Sequence, residues 1–378
     1  MAAGLYHTIG KEIDDKYMAT IKALVLDHES IAKASGLKIV YTPLHGTGNL
    51  PVRRVLSELG FKNVFVVPEQ EKPDGRFPTV KSPNPEDRAA FTLALGYAKE
   101  QGADLVLATD PDADRLGVFA LDRKTGEYMP LTGNMSGVLV CDYLLRRRKE
   151  LGILPENGAV VSTIVSTNMV KTVTESYGMK YIDVLTGFKF IGEQMRLFER
   201  DHSYVFQFGM EESYGCLVGD HARDKDAVVA VMALCEAAAW CYCQGKTLWD
   251  QMQELYAQYG YYREDTVNLT YPGQEGAQKI ASILEGLRAN PLTAVGPCKV
   301  LKVRDYQKDT VLDLATGNVT PTGLPQSNVL YYDLENDAWM CVRPSGTEPK
   351  VKFYLGVKGN TAEEAEALLK TLKENLPC

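Results

Sequence analysis

The sequence has no apolar run long enough to span a bilayer and no secretory leader pattern, so a cytoplasmic protein is expected. Its eight cysteines show no CxxC spacing and none of the density of a disulfide scaffold. Reduced thiols in packing roles are expected, with Cys241 and Cys243 as core residues of an apolar helix. A basic stripe is also lacking: the net charge is −8. The longest cationic cluster, Arg146-Arg147-Arg148-Lys149, closes a helical pattern, where cations complement the helix dipole. Neither nucleic acid nor a membrane is therefore expected as a partner.

What the chain does have is length and one unusual acidic stretch. Its 378 residues suffice for two to three domains with real cores. In Ala103–Val118, the apolar run Leu105–Thr109 reads as a short buried strand that ends in a loop carrying Asp110, Asp112 and Asp114, with Arg115 behind them. Carboxylates packed this closely repel one another, and a hard divalent cation such as Mg²⁺ removes that cost. An EF-hand is excluded, because the sixth position of the loop is Arg115 rather than Gly and the twelfth is Leu121 rather than Glu. Open α/β sheets place ligands at the carboxyl ends of their strands, and this loop lies at such an end.

Taken in order, residues 1–35 predict a single amphipathic helix that must dock elsewhere to bury its apolar face. From Leu37 the pattern is strand, Gly-rich turn (HGTGN), helix, strand: the opening of a βαβ unit. A long Pro- and Asp-rich loop follows, PEQEKPDGRFPTVKSPNPED, of the kind usually tied to function. A second α/β block starts at Gly158 and ends with the nearly all-apolar helix from Ala227, with the pattern breaking within residues 260–272. Short strands and two helices then predict an antiparallel sheet, and Thr361 with Glu364 forms a capping box on the last helix. The fold class is thus two similar three-layer α/β domains with mixed sheets (36–150 and 151–265), followed by a small α+β domain with an antiparallel sheet and two helices (266–378).

Four further segments carry chemistry. Arg343-Pro344-Ser345-Gly346-Thr347-Glu348-Pro349-Lys350 joins two strands and offers a guanidinium, two hydroxyls and a Gly, with Lys350 and Lys352 nearby; that inventory suits a phosphate. Glu211, Glu212 and Ser213 follow a strand, where acceptors can grip vicinal sugar hydroxyls or simply be solvated. Lys225 can act as a general base only where burial or a neighbouring cation depresses its pKa. His45 in the HGTGN turn either binds phosphate or caps structure, and the structural role is the expectation.

Together, TDPDADR, TGFKFIG, MEESYG and RPSGTEPK, with YTPLHGTG and PDGRFPTVKSPNPE, resemble the α-D-phosphohexomutase family, the phosphoglucomutases, phosphomannomutases and phosphopentomutases. The resemblance runs from about residue 37 to the end and implies family domains two, three and four. Residues 1–35 would then be the tail of an absent first domain, whose Ser-His-Asn-Pro loop bears a phosphoserine and has no counterpart here. It implies Mg²⁺ on Asp110, Asp112 and Asp114, and catalytic roles for Arg115 and Lys225. Sugar contacts would come from Gly187, Phe188, Lys189, Glu211 and Ser213. Phosphate would be held by Arg343, Ser345, Gly346, Thr347 and Lys352. Lys352 stands where the family often has Arg and would grip phosphate less directionally. Glucose 1,6-bisphosphate or a similar bisphosphate is the implied intermediate, and a sugar phosphate the implied partner. Surface uncovered by the absent domain, around residues 5–26 or on the 37–150 domain, would favour self-association.

Two other readings stand beside this one. The chain could be a non-catalytic Mg²⁺ and sugar-phosphate-binding protein built on the same loops. A phosphatase with an aspartate nucleophile in a DxDx(T/V) motif fits poorly, since Asp112 is followed by Ala113 and Asp114 by Arg115.

Overall fold

Two strand–helix patterns and one strand-rich pattern become two mixed sheets and one antiparallel sheet in the computed structural model, which describes residues 4–345 and 349–377 apart from the side chain of Gln274. The first sheet has the order β2-β1-β3-β4-β5, from β1 (Lys38–Thr42), β2 (Asn63–Val66), β3 (Leu105–Thr109), β4 (Leu116–Asp122) and β5 (Glu127–Leu131). β1 pairs in parallel with β2 and β3, and β3 then returns antiparallel into β4. The second sheet repeats this plan as β7-β6-β8-β9, from β6 (Gly158–Thr163), β7 (Lys180–Val184), β8 (Val205–Met210) and β9 (Cys216–Val218). Here β6 is parallel to β7 and β8, and β8 returns antiparallel into β9. All five residues of β3 and all six of β6 are buried, as fully covered parallel strands require.

The helices of this part are α1 (Lys11–Lys22), α2 (His28–Lys33), α3 (Asn49–Leu59), α4 (Pro68–Glu71), α5 (Thr92–Gln101), α6 (Gly133–Glu150), α7 (Asn168–Ser176), α8 (Phe188–Asp201), α9 (Ala227–Cys243) and α10 (Leu248–Tyr259). α6 packs on β4, β5 and β8, and α9 on β4 and β9, so the two helices serve both sheets. Residues 1–166 and 173–254 accordingly form one compact unit, and 167–172 with 255–378 a second. α9 is apolar nearly all round and 14 of its residues are buried. Among the described residues no single helix is long and apolar enough to cross a membrane.

Several expectations need correcting. Residues 1–35 form two helices rather than one, because Asp27 caps a new start by accepting the Ser30 N–H. Both dock on the first unit: Tyr17 reaches Asp226, and the N–H groups of Leu26 and Asp27 reach the buried carboxylate of Glu236 in α9. Leu5, Tyr6, Ile9 and Ile13 are exposed. Cys241 is buried, but Cys243 is exposed, since it ends α9 where the helix emerges from its packing. The cationic cluster is structural: Arg146 pairs with Asp142, Arg147 with Asp27, and Arg148 donates to the Gln207 backbone oxygen and side chain.

In the second unit, the presumed break at 260–272 is a ten-residue strand, β10 (Tyr261–Thr270). It pairs along its whole length with β17 (Lys350–Gly359) at the edge of an antiparallel sheet ordered β10-β17-β16-β15-β12-β13-β14. The remaining strands are β11 (Ala294–Val295), β12 (Cys298–Asp305), β13 (Thr310–Asp313), β14 (Val319–Thr320), β15 (Leu330–Leu334) and β16 (Trp339–Pro344). α11 (Gly273–Ala289) and α12 (Ala362–Glu374) bury Leu284 and Leu372 against Met340, Val342, Phe353 and Leu355 on one face of the sheet. Thr361 caps α12 through the Glu364 N–H, while the Glu364 carboxylate reaches the N–H of Asn360, one residue short of the expected box.

Candidate active site

The acidic loop leaves β3 with its first carboxylate turned back onto its own backbone. Asp110 Oδ1 accepts the N–H groups of Asp114 (3.0 Å) and Arg115 (2.9 Å), which curls the loop and brings the three carboxylates together. Ala113 adopts a left-handed φ of 59° to make that turn. Carboxylate oxygens of Asp110, Asp112 and Asp114 all lie within 4.8 Å of one another. Burial, with Asp114 and Asp112 adding like charge, pushes Asp110 up to about 7 against the pull of its backbone bonds. Asp114 Oδ1 is buried and has no hydrogen-bond donor, its nearest cation being Arg115 Nε at 3.6 Å. An orphaned anionic oxygen inside a set of hard oxygen donors fits a divalent cation such as Mg²⁺.

The HGTGN turn buttresses this loop. The Thr47 N–H and hydroxyl both donate to the Pro111 carbonyl (2.8 and 3.0 Å). Gly46 lies so close that a Cβ there would sit 2.3 Å from Pro111 Cα. His45 takes the expected structural role: its ring nitrogens meet the Lys72 carbonyl (3.1 Å) and the Thr79 hydroxyl (2.8 Å), pinning the long Pro-rich loop. That loop brings Glu86 to Arg115, with Nη1 at 2.5 Å, a partner that no sequence motif marks. Arg115 also lies 3.7 Å from Asp110, so its guanidinium flanks the acidic cluster.

Glu211 leaves β8 as Asp110 leaves β3. Its Oε1 accepts the Gly187 N–H (3.0 Å), and burial followed by the Glu212 charge pushes it up to about 7. Glu212 turns away to accept the Thr163 hydroxyl (3.0 Å), so of the two glutamates it is Glu211 that faces Lys225. Ser213 lies half-buried in the same loop, and Tyr214 has a φ of 68°. The Tyr214 carbonyl accepts the Leu116 N–H (2.8 Å), joining this loop directly to the end of the acidic one.

Lys225 ties the parts together. Its Nζ lies 3.0 Å from Asp114, 3.1 Å from Asp224 and 4.0 Å from Glu211, and 5.8 Å from the centre of the Phe188 ring. Burial works to lower its pKa, but Asp114, Asp224 and Glu211 outweigh it and hold the ammonium above its ordinary value. The depression required of a resident base is therefore absent in this arrangement, which holds the ammonium form. Lys189 is not in this group; it lines an open cavity of about 440 Å³ with Phe190, Arg196 and Arg223.

In the second unit, Arg343 and Lys352 face each other across β16 and β17. Directly opposed residues project from the same side of a sheet, so two cations stand together on the face away from α11 and α12. Arg343 donates to the Tyr354 hydroxyl (3.0 Å) and lies over its ring. The Ser345 N–H closes the loop onto the Lys350 carbonyl (2.8 Å). Gly346 and Thr347 lie outside the described residues.

Comparison with known proteins shows the family of the chain. Models of the phosphoglucomutase/phosphomannomutase α/β/α domain II, α/β/α domain III and C-terminal domain match residues 15–123, 132–259 and 299–374. A phosphoglucomutase of Staphylococcus aureus (strain MSSA476) is 35% identical over 348 residues, 92% of this chain and 61% of that protein. The chain thus spans less than two thirds of the length of that curated relative. Among solved structures, the open form of parafusin, a phosphoglucomutase from Paramecium, superposes with a TM-score of 0.65 at 16% identity, covering 95% of this chain and 61% of that one. The N-acetylphosphoglucosamine mutase of Aspergillus fumigatus, solved with GlcNAc-6P and magnesium, gives 0.53 at 15% identity, covering 99% and 67%. On these matches the chain belongs to the phosphoglucomutase/phosphomannomutase family, of which it carries domains II, III and IV.

Proposed function

We propose that this chain provides the cation, sugar and phosphate loops of a sugar-phosphate mutase. The reaction moves a phosphoryl group between the 1- and 6-hydroxyls of a hexose, or the 1- and 5-hydroxyls of a pentose, through a phosphoserine and a bisphosphorylated sugar. The observation that carries this reading is the convergence of Asp110, Asp112 and Asp114 under Lys225, which also faces Glu211.

Mg²⁺ on the three aspartates would offset the charge of a phosphoryl group in transfer. Arg115, steadied by Glu86, presents its guanidinium to the same group. Glu211, with one oxygen held by Gly187, keeps the other for a sugar hydroxyl, and Ser213 offers a second contact; Phe188 supports Lys225 from one side. Lys225 holds a proton that it can give to the sugar oxygen from which phosphate departs and regain from the sugar hydroxyl that attacks phosphorus in the other half-reaction. Arg343, Ser345 and Lys352, with Gly346 and Thr347, take the phosphate that does not react.

The 378 residues contain no Ser-His-Asn-Pro stretch. The phosphoserine would come from a polypeptide segment outside them, and the chain alone would bind glucose 1,6-bisphosphate while turning over little. Calorimetry with glucose 1,6-bisphosphate, with and without Mg²⁺, tests the binding half. We expect Mg²⁺-dependent binding that Asp112→Asn weakens about tenfold or more. No binding under either condition overturns the reading. Adding a separately expressed phosphoserine-bearing domain and following glucose 1-phosphate to 6-phosphate conversion tests the catalytic half. Binding without turnover in that mixture identifies a non-catalytic sugar-phosphate-binding protein instead.

A further inference from the structure

The loop between β9 and α9 takes its shape from Asp226. The Asp226 carboxylate caps α9 by accepting the N–H groups of Val228 (2.9 Å) and Val229 (3.1 Å). Its own N–H reaches the Cys216 carbonyl (3.1 Å) at the end of the sugar loop, and the next N–H, of Ala227, reaches the Ala113 carbonyl (3.0 Å) in the acidic loop. The same carboxylate faces His221 Nε2 (2.9 Å) and receives the phenol of Tyr17 at both oxygens, at 2.9 and 2.7 Å. Tyr17 comes from α1, 209 positions earlier in the chain.

Lys225 is the immediate neighbour of Asp226, and its stem runs over Gly215, where a Cβ would lie 2.0 Å from Lys225 Cδ. The stem is therefore bounded on one side by the sugar-loop backbone and anchored at its root by the fixed Asp226. A hydrogen bond to an ionised carboxylate is among the stronger ones, and its loss in a partly buried setting leaves an anion short of a donor.

We propose that Tyr17 is a positioning residue for Lys225: by holding Asp226, its hydroxyl fixes the direction from which the lysine enters the site. The functional part of this inference rests on the role given to Lys225 above. It makes α1 part of the catalytic apparatus, although α1 contributes no group that touches the acidic cluster.

Tyr17→Phe keeps the ring and removes only the hydroxyl. Two readouts use the full chain: the rate at which Lys225 is acylated by an amine-directed reagent, read by peptide mass spectrometry, and the Mg²⁺ dissociation constant. Lys225 acylation is expected to rise about fivefold relative to Lys189 and Lys246, which lie outside the loop, as the anchored side chain is released. Mg²⁺ binding is expected to tighten about threefold as the ammonium leaves Asp114. In a Lys225→Met background, the same Tyr17→Phe change should leave Mg²⁺ affinity untouched, which a general loosening of the fold would not reproduce. Unchanged Lys225 acylation, or a Mg²⁺ effect that survives in the Lys225→Met background, overturns the proposal. Failure of the functional reading looks different: Lys225→Met leaves glucose 1,6-bisphosphate affinity and turnover unaltered while Tyr17→Phe still raises acylation.

Discussion

Asp110 and Glu211 stand at the same point of two like sheets, each the first residue beyond a central parallel strand that returns antiparallel through a short loop. Both carboxyls are buried, both are held by backbone N–H groups, and burial pushes both up to about 7. The repeated sheet thus places a buried acid at the mouth of each loop by the same device, and the proposed function gives one of them a cation and the other a sugar hydroxyl.

Because both pKa values are raised in the folded state, the folded protein binds protons that the unfolded chain has released between about pH 4 and pH 7. Their contribution to stability is complete below the unfolded values and is lost as pH rises through 7. In EDTA, the melting temperature should fall between pH 5 and pH 8, whereas saturating Mg²⁺, which favours the ionised Asp110, should raise it more at pH 8 than at pH 5. Equal Mg²⁺-induced shifts at the two pH values, read by calorimetry, would contradict this account.

Gly46→Ala tests the buttress beneath the acidic loop. The added Cβ meets Pro111 backbone rather than a side chain that can swing away, so the loop itself must shift. A loss of about 1–3 kcal/mol in urea unfolding is expected, together with weaker Mg²⁺ binding. Unfolding unchanged from wild type would show that the turn and the loop are not in contact in solution.

Glu236→Ala removes the acceptor of the Leu26 and Asp27 N–H groups (2.7 and 2.6 Å). One buried and one part-buried donor left without partners should cost about 2–4 kcal/mol. Hydrogen exchange should quicken across residues 11–33 ahead of the sheets; uniform protection along the chain would count against a local latch.

Arg343→Ala separates folding from phosphate binding. Two cations opposed across a strand pair repel, so losing one should be neutral or slightly stabilising, within about 0.5 kcal/mol, in the absence of phosphate. Affinity for glucose 1,6-bisphosphate should fall about tenfold or more. A variant that melts early but binds normally would assign Arg343 to structure through Tyr354.

Much of this was legible in the sequence because apolar continuity ended in a change of chemistry. Leu105–Thr109 reads as a strand and is one, the three aspartates gather in the loop it leads into, and α9 begins at Ala227, where its apolar pattern does. The misses have physical reasons. β10 lies on a sheet edge with Arg263, Glu264 and Asp265 in its middle, which leaves its apolar alternation only to Val267 and Leu269 near its end. Cys243 follows apolar neighbours into the last turn of a helix that has already left its packing. Asp226 before an apolar helix carries the signature of a helix cap and could have been found. Tyr17 and Glu86 carry no such signature, because only the folded chain brings them to Asp226 and Arg115.

The backbone bond from Leu116 to Tyr214 splices the first residue of β4 to the next-to-last residue of the loop between β8 and β9. Neither hairpin can be displaced without dragging its twin. On the proposed roles, a substitution in the Glu211 loop chosen to change which sugar is accepted should also change the grip of the Asp110 loop on its ion.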